Sequence, residues 1–248
     1  MIENIIVQEV LMDPEMKSDR RGFLARVVGA AAATSWAAAG ARQAEAQPAG
    51  PNDWIKNVRG THRCLFDFPQ HKNGVPLLHI LNYLNTYQAA YKTAPGQVGA
   101  VGTFYGIGAQ ASISSAFNDA MWAKYALGDY TGLKDAGGRS YTRNVFHRPT
   151  KADLHVVMQG MQTPIIPSFA DALPALGIEN LQKMGTTFLI CANALGAWCQ
   201  ELEVRGKGKA PEIERELRAN LLPGVIVVPA MVIAIEAAQE SGIRYNRQ

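Results

Sequence analysis

Cysteine is scarce in this chain. Three residues, Cys64, Cys191 and Cys199, occur in 248, and none falls in a C-x-x-C or C-x-x-C-H spacing. A thioredoxin-type redox pair and covalent haem attachment therefore have no support, and no zinc-ligand spacing is present either. In an oxidising compartment an odd count leaves at least one thiol free or shared between chains. A basic block is also missing. The densest cluster, Arg205-Gly206-Lys207-Gly208-Lys209, has glycines between its charges. The first 46 residues hold five of the 24 Lys/Arg and six of the 21 Asp/Glu, so residues 47–248 keep only a small positive excess. Nucleic-acid binding has no electrostatic footprint here. The longest weakly apolar run, Val27 to Ala41, gives about 15 positions against the roughly 20 that a membrane-spanning helix needs. There is no internal repeat.

What is present begins near the start. Ser18-Asp19-Arg20-Arg21-Gly22-Phe23-Leu24 precedes the alanine-rich run, and Ala44-Glu45-Ala46 supplies a small–x–small pattern. Paired arginines, a weakly hydrophobic segment and a small-residue cleavage site read as a twin-arginine signal peptide over residues 1–46, cut after about Ala46. The expectation is an exported, periplasmic protein whose first partner is the twin-arginine translocase, a route that carries folded chains. Residues 47–60, with Pro48 and Pro51, form a tether. The remaining residues, 61–248, are enough for one sizeable core.

Within 61–248 the periodicity alternates. Arg63 to Phe68 reads as a buried strand stopped by Pro69, and Leu77, Leu78, Leu81 and Leu84 recur at helical spacing. Val98 to Tyr105 is a second strand. Ser112, Ser114 and Ser115 offer caps for a helix carrying Phe117, Met121, Trp122 and Tyr125. Over 129–170 the signals weaken. Leu154 to Met158 reads as an added strand, and Thr163-Pro164-Ile165-Ile166-Pro167 excludes a helix. Ile178 to Met184 ends a helix, Thr186 to Cys191 is a continuous apolar strand, and Pro211 to Leu221 is a polar helix. Val225 to Val228 is another buried strand, Ala230 to Glu240 a helix, and Ile243 to Tyr245 a last edge segment. Apolar strands alternating with helices predict an α/β three-layer domain with a mostly parallel sheet of about five strands.

Three segments carry a resemblance. Gly185-Thr186-Thr187-Phe188-Leu189-Ile190-Cys191-Ala192-Asn193-Ala194-Leu195 is followed by Leu221-Leu222-Pro223-Gly224-Val225-Ile226-Val227-Val228-Pro229-Ala230, and the chain closes on Ala238-Gln239-Glu240-Ser241-Gly242-Ile243-Arg244-Tyr245. Together they resemble the DsrE/DsrF-like family of sulfur-relay proteins: a strand ending in Cys, a Leu-Pro-Gly-Val turn into a strand, and a terminal Gln-x-x-Gly-x-x-Tyr. The match covers roughly 178–245, weakens over 60–130 and is lost over about 131–165, which reads as an insertion. It implies a flavodoxin-like domain and a homo-oligomer. In the sulfur-transferring members it implies a cysteine that carries sulfur as a persulfide between donor and acceptor proteins. Only Cys191 maps onto that cysteine.

The residues themselves place candidates around it. Cys191 lies at the carboxyl end of a parallel strand, where open α/β sheets bind ligands, and a helix beginning near Asn193 directs its positive end at the sulfur. Asp67 and His71 follow the first strand and are expected at the same edge, His71 to take the thiol proton and Asp67 to orient it. Gly106-Ile107-Gly108-Ala109-Gln110-Ala111 fits G-x-G-x-x-A, but it follows the second strand and lacks its acidic partner. It reads as a tight turn whose Tyr105, Gly106 and Gly108, with Asn193, line a ligand edge. His147 and His155 could join His71 on a metal, but their spacing does not support it; His79 reads as a packed or half-exposed histidine, and no cofactor is expected. The spacings also predict no Cys64–Cys191 disulfide. The leading expectation is a sulfur carrier rather than a turnover enzyme. The alternative is a non-catalytic ligand-binding or assembly module of the same fold with an inert cysteine.

Overall fold

The computed structural model describes residues 50–157 and 171–248. The expected signal peptide and cleavage site, the first residues of the tether, Met158 and the Thr163–Pro167 segment lie outside them. Among the described residues no helix is long and apolar enough to cross a membrane.

The domain is a three-layer α/β fold of flavodoxin-like type. Strands β1 (His62–Asp67), β2 (Val98–Phe104), β3 (Thr186–Cys191), β4 (Val225–Val228) and β5 (Arg244–Arg247) form one sheet in the order β4-β3-β2-β1-β5. All four pairings are parallel, so the chain crosses the sheet through helices. These are α1 (Val75–Tyr91), α2 (Asp119–Tyr125), α3 (Leu127–Thr131), α4 (Leu154–Val157), α5 (Ile178–Lys183), α6 (Ala192–Val204), α7 (Ala210–Ala219) and α8 (Met231–Glu240).

Strand side chains alternate between faces, and the two cores record it. Cys64, Phe66, Ala100, Phe104, Phe188 and Ile190 enter the thicker core with Ile80 and Leu84 of α1, Trp122 of α2, Trp198 of α6 and Leu217 of α7. Leu65, Val101, Leu189, Cys191, Ile226 and Val228 turn the other way, under Met231, Ala234 and Ala238 of α8 and beside Trp54 of a short 3-10 turn, Asp53–Asn57. Gly102 has a packing duty. A Cβ there would sit 2.4 Å from the Phe188 ring, which stacks on Phe104 at 5.0 Å with its plane 1° from parallel.

Two local expectations are corrected. Ser112–Ala116 is a 3-10 turn, and α2 begins later, where the Asn118 side chain accepts from the Met121 amide at 3.2 Å. Phe117 is left outside the helix in extended backbone. Leu154–Val157 is a helical turn, not a strand. Thr150 and Asp153 form a capping box just ahead of it and set helical backbone, while Arg143 binds both Asp153 oxygens at 2.6 Å.

Much of residues 131–157 is packed, while Gly132 and the Ala136–Arg139 turn are exposed, as their glycines suggest. Leu133, Tyr141, Val145 and Phe146 join the thicker core. Asn144, 1% exposed, ties them down: its Nδ2 donates to the Ser115 and Phe117 carbonyls at 2.9 and 2.8 Å, and its Oδ1 accepts from the Phe146 amide at 3.0 Å. Asn144→Ala leaves buried backbone groups without partners. We expect a loss of about 2–4 kcal/mol, read as a lowered urea midpoint at unchanged slope; an unchanged midpoint would contradict this role.

Candidate functional site

Cys191 ends β3 and is the N-cap of α6. Its Sγ accepts the Ala194 amide at 3.4 Å, as a serine oxygen would at that position. It also accepts the amide of Met231, the first residue of α8, at 3.4 Å. The sheet brings these together. Cys191 is in register with Val228 on β4, Pro229 and Ala230 then lead into α8, and the Asn193 amide donates to the Pro229 carbonyl at 3.3 Å. Two helix starts thus meet at one sulfur, each placing positive partial charge against it.

The sulfur is not at an open lip. Cys191 is 5% exposed, because alternation sends it inward with Leu189, beneath Met231 and against Val228. Asn193 is exposed at the mouth of α6. All three cysteines are free. Cys64 and Cys199 belong to the other core, with the sheet between them and Cys191, and burial pushes their thiols up to about 11 and about 12.

His71 does not serve Cys191. It is 3% exposed, its Nδ1 accepts the Asn73 amide at 3.0 Å, and its Nε2 lies 3.3 Å from the Thr131 carbonyl. These partners assign the neutral tautomer with the proton on Nε2. The ring packs on Phe146, 5.3 Å between centroids. With both nitrogens in use it neither takes the thiol proton nor rests on Asp67. Burial pulls its pKa down to about 4, against the smaller opposing effect of the Thr131 carbonyl.

Asp67 is instead held by hydroxyls. It is 4% exposed at the end of β1, where Oδ1 accepts Tyr105 Oη at 2.7 Å and Oδ2 accepts Tyr245 Oη at 2.7 Å. Thr103 Oγ1 approaches at 3.5 Å. Tyr105 directly follows β2 and Tyr245 lies on β5, the strands on either side of β1, so the carboxylate is gripped from both sides. Burial, then the bond to Asp67, pushes both phenols up, and they stay donors. Tyr245 is the residue that sequence reasoning missed as a site residue; it stands 178 positions from Asp67.

Gly106 and Gly108 take φ of +88° and +86°. A Cβ on Gly106 would lie 2.5 Å from the Pro69 carbonyl, so the glycine lets the exit of β2 touch the exit of β1. The following element is the five-residue 3-10 turn, not the α-helix that a dinucleotide fingerprint requires. His155 Nδ1 and Nε2 each lie 2.9 Å from a carbonyl, of Ala152 and Lys134. Among the described residues no cluster of His, Cys, Asp and Glu could hold a metal ion.

His71 yields a prediction with a definite sign. An unfolded histidine titrates near 6.5, whereas His71 does so near 4. The unfolded chain accepts a proton that the fold refuses. The contribution is complete above about pH 6.5 and shrinks as pH falls toward 4, by up to roughly 3 kcal/mol. His71→Gln should flatten that part of a stability–pH curve measured by urea unfolding; identical slopes would disprove it. Comparison with known proteins supplies no precedent for the site, since no family model, no curated protein and no solved structure matches the chain.

Proposed function

We propose that this protein is an exported carrier of sulfane sulfur that holds it on Cys191 as a persulfide. The observation that carries this reading is the pair of amides from α6 and α8 that converge on Sγ at 3.4 Å. The two amides fix the sulfur where the two helices begin, and a cysteine attacks sulfur as its thiolate. The resemblance read in residues 178–245 is what singles out Cys191 for this role.

The step is a thiol exchange. The Cys191 thiolate attacks the outer sulfur of a donor persulfide, R–S–SH. A new S–S bond forms to Cys191, the donor's S–S bond breaks, and R–S⁻ leaves with the electron pair. Cys191–S–SH then passes its outer sulfur to an acceptor thiolate by the same exchange. No other oxidant or reductant enters. Neither His71 nor Asp67 has a part in this chemistry. The low exposure of the sulfur favours small donors such as inorganic polysulfide over bulky ones. Export by the twin-arginine route and assembly as a homo-oligomer belong to the same proposal; Val232 and Ile233, 70% and 55% exposed on α8, offer an apolar surface for the latter.

That same burial favours the competing reading, an assembly or ligand-binding module in which the sulfur only caps α6. One experiment separates them. Mature protein mixed with polysulfide is expected to gain about 32 Da on Cys191, reversible by a thiol and absent in Cys191→Ser. No adduct in the folded protein, with modification appearing only in denaturant, would leave the cap as the whole role.

A further inference from the structure

A second site lies on the opposite face of the sheet from Cys191. A cleft of about 650 Å³ opens between α1 and the end of β5, reaching Phe66 of β1. It lies along the edge of the sheet: β5 is the outer strand beside β1, and α8, which leads into β5, covers the other face. The cleft runs along α1 from Lys72 near the carboxyl end of β1 to Tyr91 towards its amino end. The volume is in the range of small-molecule pockets.

Two features of the lining specify a ligand. The first is a row of rings. Tyr83, Tyr87 and Tyr91 follow one another at four-residue spacing on α1, with centroids 5.0 and 5.1 Å apart. His62 stacks on Tyr87 at 4.4 Å. The core side of α1 is already filled by Leu77, Ile80, Leu81 and Leu84. Tyr83 and Tyr87 are only partly covered, and Tyr91 is 70% exposed. The second feature is charge. Lys72, His79 and Arg247 line the cleft and no acidic side chain does. Lys72 and Arg247 have no ion-pair partner among the described residues.

We propose that this cleft binds a small organic anion bearing a flat aromatic ring, of the size of a nucleoside monophosphate or smaller. The ring lies against the tyrosine row, and the carboxylate or phosphate is met by Lys72 and Arg247. The site is independent of the persulfide reading, because Cys191 belongs to the core beneath α8.

The test is titration calorimetry on the mature protein with adenosine monophosphate and with benzoate, using adenosine and inorganic phosphate as half-ligands. Saturable binding of at least one aromatic anion is expected, with adenosine and phosphate at least about tenfold weaker. Arg247→Gln should weaken it about tenfold or more at unchanged melting temperature, since that side chain lies outside the cores, and Tyr87→Leu severalfold. Cys191→Ser should bind normally while losing the sulfur adduct, so failure of one site leaves the other legible. Two results would overturn the proposal: no saturable binding of either anion up to about 10 mM, or binding that ignores both the charge on the ligand and Arg247→Gln.

Discussion

A wholly parallel sheet must be covered on both faces, because every crossover is a helix that has to pack somewhere and the inner strands are apolar on both sides. In this chain the requirement is met unevenly. Strands β1 to β4 march in one direction, and α1, α2, α6 and α7 pack on a single face. Only the return from β4 to β5 supplies a helix to the other. That face is closed by α8 with the Trp54 turn beneath it. The thin layer sets the environment of Cys191: one helix above it, apolar neighbours beside it, and two helix starts aimed at it.

The polar interior follows the same economy of partners. Asp67 is buried and is satisfied by hydroxyls from both sides of β1. His71 is buried neutral between an amide and a carbonyl. Both sit where the exits of β1 and β2 cross, at the contact that Gly106 permits with Pro69. These groups tie the carboxyl rim of the sheet together. The roles proposed above lie elsewhere, at the sulfur on one face and in the tyrosine-lined cleft on the other.

Much of this architecture was legible in the residues. The continuous apolar runs Thr186 to Cys191 and Val225 to Val228 declared buried parallel strands, and the helical segments read between the strands gave the alternation. The errors have local causes. Leu154 to Val157 is apolar and β-branched, but the Thr150–Asp153 box and the Arg143 pair override strand propensity. The serines at 112–115 looked like caps, yet Asn118 stands where the helix starts. At the site, Asp67 and Tyr105 could each be placed at the rim from strand ends alone. The second phenol on Asp67, that of Tyr245, could not, because it depends on β5 pairing beside β1. The supposed His71–Cys191 relay failed for a related reason. Sequence order brings His71 to the rim, but only the fold shows that the loop tucks under Thr131 and Phe146.

The sharing of one sulfur by two helix starts bears on how such a chain drifts over generations. Cys191 and Met231 are 40 positions apart, yet exchanging the first for alanine strands amide hydrogens in two separate corners at once. Substitutions around 191–194 and around 228–231 are therefore not free of one another. A lineage that abandons the thiol must rebuild both corners together, and one that keeps it has its choices at each narrowed by the other.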